Sequence, residues 1–96
     1  MRFRDDQRLT VRTDVLSRQL DGEAVLLDLQ AGTYFGLNEV GALVWDLLCG
    51  GASIGDVRDR ICRDYAVDPT TAATDVEGII DELLRRELLQ LADQAP

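Results

Sequence analysis

The segment DGEAVLLDLQAGTYFGLNEVGALVWDLL, from Asp21 to Leu48, constrains the fold of this chain more than any other part of it. Two turn signals separate short apolar stretches, and an amphipathic helix pattern follows directly. Asp21-Gly22 suits a two-residue type I′ turn, because both central positions of that turn need a positive φ. The last strand before the helix is predicted to lack a neighbour on one side, and a free strand edge can bind another chain. The segment therefore predicts a peptide-binding module rather than an enzyme.

The first turn fixes how the strand Val15–Leu20 pairs with the strand that follows. Leu20 then faces Glu23, and Leu16 faces Leu27. Because alternate side chains of a strand share a face, one set of apolar residues gathers on a face that we predict to be the core side. This set is Leu16, Leu20, Val25, Leu27 and Leu29.

The second turn is predicted to be a three-residue loop, Gln30–Gly32, whose glycine adopts the left-handed conformation. This loop sets Leu27 against Phe35 and places the Phe35 ring in the core. Tyr34 and Gly36 then point outward. The outward Tyr34 either offers a bound peptide an apolar surface and a hydroxyl or simply packs against its neighbours, and the sequence leaves both readings open.

Capping residues predict the helices that follow the sheet. Asn38 can cap a first helix, which Gly50-Gly51 ends. Trp45 lies one position off the apolar stripe of this helix and is expected to be partly buried. Ser53, followed three residues later by Asp56, resembles a capping box and opens a second helix.

A third helix is predicted to begin with Asp68 as its cap and Pro69 in its first turn, and to extend to about Leu89. Gly78 lies in its interior, where glycine costs about 1 kcal/mol relative to alanine. Either a neighbouring element or a bound peptide approaches closely at this glycine, or the residue has no role. The predicted fold is α+β and winged helix-turn-helix-like, with a three-stranded antiparallel sheet followed by three helices. Residues 1–13 are predicted to be a flexible N-terminal arm, 14–91 the folded domain and 92–96 a C-terminal tail.

Composition excludes several classes of function. The formal net charge is −8 and the chain has no His, so we expect no nucleic-acid partner, no catalytic residue that depends on His, no metal site and no cofactor. A winged-helix DNA-binding protein is disfavoured because acidic residues dominate the third helix. The two cysteines, Cys49 and Cys62, are predicted to be free, buried thiols. We find neither a secretory signal nor a membrane segment, and infer a cytoplasmic protein.

The chain from Val15 to about Leu91 resembles PqqD and the related recognition elements that bind precursors of ribosomally synthesised, modified peptides. The segments that carry the resemblance are DGEAVLLDLQAGTYFGLNEVGALVWDLL, YAVDP and DVEGIIDELLRRELL. The free-standing leader-binding proteins of lasso-peptide pathways are the members it resembles most. One departure is Glu87, where members of the family often have Gly, and it predicts a longer third helix.

The resemblance implies that the leader of a precursor peptide adds as an antiparallel strand to the third strand and lies against the third helix. Arg85 or Arg86 could steer an acidic leader, and the negative net charge could equally favour a basic one. The residues implied to bind the peptide are Leu26, Thr33, Tyr34, Phe35, Gly36, Leu37, Asp75, Val76, Ile79, Ile80, Leu83 and Arg86.

The resemblance also implies a second partner, a separate leader peptidase or modifying enzyme to which the peptide is delivered. Two alternatives are a PqqD-type peptide chaperone for a radical enzyme of quinone cofactor biosynthesis, and a structural subunit that docks on a larger enzyme. The free edge could in addition pair two copies of the chain as a homodimer.

Overall fold

Five strands and three helices make up the part of the chain that the computed structural model describes, residues 3–91; the predicted C-terminal tail, 92–96, lies outside it. Their order is β1 (Leu9–Val11), β2 (Val15–Leu20), β3 (Glu23–Asp28), β4 (Thr33–Leu37), α1 (Glu39–Cys49), α2 (Ile54–Tyr65), α3 (Pro69–Arg85) and β5 (Leu89–Leu91). Strands β2, β3 and β4 form one antiparallel sheet in that spatial order, and β1 pairs with β5 in a second. The predicted α+β class, with a three-stranded sheet and three helices, is confirmed, whereas the β1–β5 sheet was not predicted.

The β2–β3 hairpin has the turn and the register that the sequence predicts. Asp21 and Gly22 have φ values of 51° and 83°, as a type I′ turn requires. Leu20 pairs with Glu23, and Leu16 pairs with Leu27.

The β3–β4 register differs by one residue from the predicted one, because the connection is longer than predicted. Thr33 pairs with Asp28, and Phe35 pairs with Leu26 rather than Leu27. Gly32 is left-handed as predicted, with φ 72°. Because a slip of one residue changes which side chains of two strands share a face, Phe35 lies on the face of Leu26 and not on that of Leu27.

Asp28 explains why this register forms. Its carboxylate is buried and accepts hydrogen bonds from the backbone N–H groups of Gln30 and Ala31, both at 3.1 Å. Its carbonyl oxygen accepts a third hydrogen bond, from Gly32. The side chain of Asp28 therefore closes the turn from the inner face of the sheet, and Leu27 must point to the outer face.

The face of the sheet that packs on the helices carries Ala24, Leu26 and Leu37, all buried, together with the half-buried Phe35. The predicted core side was therefore wrong. Most of its members lie on the outer face with large exposed fractions: Leu16 51%, Leu20 60%, Leu27 38% and Leu29 59%, with Val25 half-buried. The outward direction of Tyr34 is confirmed, and its side chain lies on this outer face at 75% exposure.

The helices supply most of the core. Trp45 is 2% exposed, so it is a central core residue rather than the partly buried one predicted. The predicted caps form: Asn38 accepts a hydrogen bond from the N–H of Gly41, Ser53 and Asp56 make a reciprocal capping box, and Asp68 accepts one from Thr71. Among residues 3–91, no helix is both long and apolar enough to cross a membrane.

Helix α3 ends at Arg85, four residues before the predicted end. Glu87 has a left-handed backbone, with φ 60°, and stands where glycine would be favoured. The N–H groups of Glu87 and Leu88 donate to the carbonyls of Leu84 and Leu83, which closes the last turn. The chain then reverses and buries Leu88 and Leu89 in the core. The prediction of a longer helix was wrong because burial of these two leucines requires the turn.

The segment predicted as a flexible arm contributes β1, whose Leu9 is 4% exposed. Nearer the N-terminus, the carbonyls of Asp5 and Gln7 accept hydrogen bonds at 2.8 Å from Gly55 and Ile54, in the first turn of α2. A Cβ at Gly55 would lie 2.9 Å from two atoms of Asp5, so only glycine permits this approach. The segment is thus fastened across the start of α2.

The cysteines are free, as predicted, but Cys49 is exposed and Cys62 is only half-buried. Although Cys49 is exposed as a whole residue, desolvation of its thiol raises its pKa to about 11, with a further contribution from the Asp46 carboxylate. At neutral pH this group is a thiol and a poor nucleophile.

Candidate binding groove

The outer edge of β4 is open in the described part of the chain, because the sheet order is β2-β3-β4. The pairing pattern shows which backbone groups point to that edge. Leu29 donates a hydrogen bond to the carbonyl of Asp14, and hydrogen-bonded pairs alternate along antiparallel strands. The backbone groups of Ala24, Leu26 and Asp28 therefore point away from β2 and toward β4. These three residues pair with Leu37, Phe35 and Thr33, whose backbone groups bond to β3. The N–H and C=O groups of Tyr34 and Gly36 therefore face the open edge.

A groove of about 380 Å³ lies between this edge and helix α3. Phe35 and Leu37 form the strand side, and Ile79 supplies an apolar surface on the helix side. The residues that line the groove are Phe35, Gly36, Leu37, Asn38, Gly41, Thr74, Asp75, Gly78, Ile79 and Glu82. The groove is thus an open channel with apolar walls and a few polar groups.

Gly78 lines the groove on the helix side but contributes no side chain to it. A Cβ built at this residue would have no heavy atom within 4 Å. Of the explanations that the sequence left open for Gly78, close approach of a neighbouring element within residues 3–91 is excluded. The missing side chain leaves space in the groove itself.

The guanidinium of Arg86 stacks on the Phe35 ring, 4.1 Å from its centroid, at one end of the groove. It also forms an ion pair with Glu82, at 3.0 Å. Beside it lies a small cavity of about 20 Å³ that Thr33 and Tyr34 help to line. This stacking places the end of α3 against Phe35, the central residue of β4.

Arg12 holds the same end of the groove together. Its three guanidinium nitrogens donate to Asp14 at 3.0 Å, to Asp28 at 2.5 Å and to the carbonyl of Glu87 at 3.0 Å. The pKa of Asp28 lies below its usual value, chiefly because the N–H of Ala31 donates to the carboxylate, with a further contribution from Arg12. The charged carboxylate therefore stabilises the junction between the β3–β4 turn and the end of α3.

The structure brings most of the predicted binding residues to the groove or to the small cavity beside it. Phe35, Gly36, Leu37, Asp75 and Ile79 line the groove, and Leu26, Thr33, Tyr34, Phe35 and Arg86 line the cavity. Val76, Ile80 and Leu83 are 0% exposed and lie in the core, so they support the groove from beneath and do not line it.

Sequence reasoning missed four of the residues that line the groove, Asn38, Gly41, Thr74 and Glu82, and it left the role of Gly78 open. Helical spacing could have found part of this set, since Asp75, Gly78, Ile79 and Glu82 follow one another at the three- and four-residue intervals that share a helix face. Asn38 and Gly41 could not be found in this way, because they belong to the cap of α1 and reach the groove only through the tertiary fold.

The chemistry of the groove is that of a binding surface. Its polar side chains are an amide, a hydroxyl and two carboxylates. Within residues 3–91, no group of three or more His, Cys, Asp or Glu side chains is placed to hold a metal ion. An open strand edge beside an apolar groove suits an extended peptide, since backbone hydrogen bonds and side-chain contacts can both form there.

The fold and the groove define a class of small α+β domain in which a helix packs beside the open edge of a three-stranded sheet. The sequence profile of the family described as coenzyme PQQ synthesis protein D (PqqD) matches residues 23–89. The chain belongs to the PqqD family, and its fold is that of the PqqD-like recognition elements for ribosomally synthesised, modified peptides.

Two solved structures are similar over nearly the whole chain. TbiB1 in complex with the TbiA(beta) leader peptide is 39% identical, with a TM-score of 0.79, and the match covers 91% of this chain and 99% of that one. A lasso peptide synthetase B1 complexed with the leader peptide is 29% identical, with a TM-score of 0.80, and the match covers 86% of this chain and 98% of that one. A comparison with curated proteins gave no match.

Proposed function

We propose that this chain is a non-catalytic recognition protein that binds the leader peptide of a ribosomally synthesised precursor of the lasso class. The leader adds as an antiparallel strand to the open edge of β4 and lies against α3. The bound precursor is then delivered to a separate leader peptidase or modifying enzyme. The observation that carries this proposal is the groove, because the free backbone groups of Tyr34 and Gly36 lie along its strand side.

The similar structures support the proposal, since both are complexes of a B1 protein with a leader peptide. Strand addition supplies affinity through backbone hydrogen bonds, which tolerate many sequences. Selection among peptides then comes from the side chains that enter the groove. The space at Gly78 is where a peptide backbone or a large side chain would approach the helix most closely.

A binding titration tests strand addition at β4. The labelled TbiA(beta) leader peptide is titrated with this chain, with Gly36→Pro and with Gly36→Ala, and fluorescence anisotropy is measured. Proline removes an N–H donor at the edge and should weaken binding at least tenfold, because a hydrogen bond is lost and the proline ring faces the peptide. Alanine keeps the donor and meets no atom within 4 Å, so it should bind like the parent chain.

A second proline variant controls for general effects on the sheet. Ser17→Pro places proline on β2, the opposite edge of the same sheet, where the alternation of hydrogen bonds leaves the N–H unpaired. It should bind the leader normally. Equal binding by the parent and by Gly36→Pro would rule out strand addition at this position, and no saturable binding by the parent would rule out recognition of this leader.

A second function is favoured by the family itself, whose description names coenzyme PQQ synthesis. In that case the same groove would present a peptide to a radical enzyme of quinone cofactor biosynthesis. A parallel titration with a PQQ precursor peptide separates the two functions, because only the peptide of the true pathway should bind tightly. A homodimer formed by pairing two β4 edges would occupy the same backbone groups and would compete with either peptide. Light scattering at rising protein concentration measures this dimerisation.

A further inference from the structure

We propose that the groove selects the order of charges along its peptide: a basic side chain nearer the N-terminus of the bound segment and an acidic side chain nearer its C-terminus. The inference rests on the proposed function, because it takes the peptide to be an antiparallel strand on β4. The order of charges would determine which leaders the groove accepts. The net charge of the chain does not distinguish an acidic leader from a basic one.

The two ends of the groove lie at opposite ends of β4. Arg86 contacts the ring of Phe35 and shares a cavity with Thr33, so the C-terminal end of α3 lies beside the start of β4. Asp75 precedes Arg86 by about three helical turns, or about 16 Å along the helix axis. The groove is lined by Asp75 and also by the end of β4 and the cap of α1. Since Arg86 marks the start of β4, Asp75 lies toward the other end of the strand. Helix α3 therefore runs antiparallel to β4, with Asp75 at the end marked by Leu37.

These two ends carry opposite charge. Asp75 lines the groove as a carboxylate, and no salt bridge among residues 3–91 engages it. At the other end, Glu82 is the shared ion-pair partner of Arg85, at 2.7 Å, and of Arg86, at 3.0 Å. Arg85 and Arg86 together carry one more charge than the Glu82 carboxylate that they share, and their side chains are 72% and 47% exposed. At the same end, Arg12 is shared by Asp14 and by Asp28, which is only 8% exposed, so the charge nearest the bound strand is that of Arg86, over the Phe35 ring.

An antiparallel strand on β4 begins at the Leu37 end and finishes at the Thr33 end. Its N-terminal part therefore lies beside Asp75, and its C-terminal part lies beside Arg86. A separation of about 16 Å corresponds to about five residues of extended chain. Because only alternate side chains of a strand face the groove, the basic and acidic residues should be separated by an even number, about four or six positions.

Selection from a displayed library of random peptides tests this inference without assuming a leader sequence. The immobilised full chain is the bait, and the enriched peptides are sequenced. We expect Lys or Arg to precede Asp or Glu at the stated separation. A synthetic enriched peptide should bind about tenfold more tightly than the same peptide with its two charged residues exchanged, since exchange turns two attractive contacts into repulsive ones. That difference should shrink as ionic strength rises.

Charge-altered variants make the test specific. The double variant Asp75→Lys with Arg86→Glu should enrich peptides of the reverse charge order. The double variant Asp64→Lys with Arg63→Glu makes the same two changes of charge on α2, away from the groove, and should enrich the same peptides as the parent chain. Circular dichroism of each variant checks that the fold is intact.

The outcomes separate this inference from the proposed function. Peptides enriched without a charge order, and still sensitive to Gly36→Pro, would overturn the inference and leave peptide binding at β4 in place. Enrichment of the reverse order by the parent chain would overturn both the inference and the antiparallel orientation. A selection that enriches no peptide at all would count against peptide binding itself.

Discussion

Arg12 donates a hydrogen bond to the carboxylate of Asp28, and this contact joins the N-terminal segment to the last residue of β3. Both side chains are largely buried, at 13% and 8% exposure. Since Asp28 also closes the β3–β4 turn and Arg12 also binds the carbonyl of Glu87, the pair connects both walls of the groove at one end. A residue outside the predicted folded domain thus stabilises the candidate site.

Replacing Arg12 with alanine should lower the melting temperature by several degrees, because it leaves the buried Asp28 carboxylate without its cation. Thermal unfolding followed by circular dichroism measures the change. Arg63→Ala is the matched control, since Arg63 is 75% exposed and its contact with Asp64 is long, at 3.7 Å. Equal melting temperatures for both variants would show that the Arg12 contacts do not support the fold.

The stability of the protein should fall at acid pH in a way that depends on Asp28. Its pKa is lowered in the folded state, so its contribution to stability is present above the unfolded-state value of about 3.9 and is lost as pH falls through the lower folded-state value. Urea unfolding from pH 6 to pH 2 should show a shallower loss of stability for Asp28→Asn than for the parent chain. Asp64→Asn serves as a control, and parallel curves for Asp28→Asn and the parent would contradict the prediction.

Two leucines on opposite faces of the sheet should respond very differently to substitution. Leu26 is fully buried, and Leu26→Ala should cost about 2–5 kcal/mol in the free energy of unfolding. Leu20, at 60% exposure on the outer face of β2, should tolerate serine with a change of about 0.5 kcal/mol or less. Urea denaturation gives both values. The opposite ranking would favour the placement of leucines that the sequence pattern predicted.

Substitutions at Gly78 should affect the stability of the chain and its affinity for the leader in different ways. Gly78→Ala should stabilise the chain by about 0.4–1 kcal/mol, because alanine is the better helix residue and its Cβ meets no atom. Gly78→Leu should fold but fill the groove, and leader affinity should fall at least tenfold. Chemical denaturation and the anisotropy titration measure the two effects. Leader binding that is unchanged in Gly78→Leu would place the peptide elsewhere.

Cys49 should react slowly with thiol reagents even though it is exposed. With a pKa raised to about 11 from an ordinary value of 9.0, its thiolate is scarce at pH 8, and its higher intrinsic nucleophilicity offsets only part of the loss. In a Cys62→Ala background, labelling by a disulfide reagent should be roughly tenfold slower in the folded chain than in denaturant. Equal labelling rates in the folded and the denatured chain would show that desolvation does not raise the pKa of the Cys49 thiol.

Local signals in the sequence were sufficient for much of the fold. Asp21-Gly22 determined one hairpin, because a two-residue turn with positive φ at both positions has a single register. Ser53 and Asp68 determined where helices begin, because a cap acts on the N–H groups a few residues away. The open edge of β4 and its five residues also follow from strand order along the chain.

Only the tertiary structure decided which face of the sheet is buried. The apolar pattern pointed to the leucines at 16, 20, 27 and 29, yet the helices cover the opposite face, because the Asp28 carboxylate must lie inside with Arg12 to close its turn. The same dependence on distant partners applies to Glu87, whose left-handed turn returns Leu88 to the core. Capping and hairpin turns are decided within a few residues of chain, whereas the buried face, the end of α3 and the contents of the groove depend on contacts between segments far apart in the sequence.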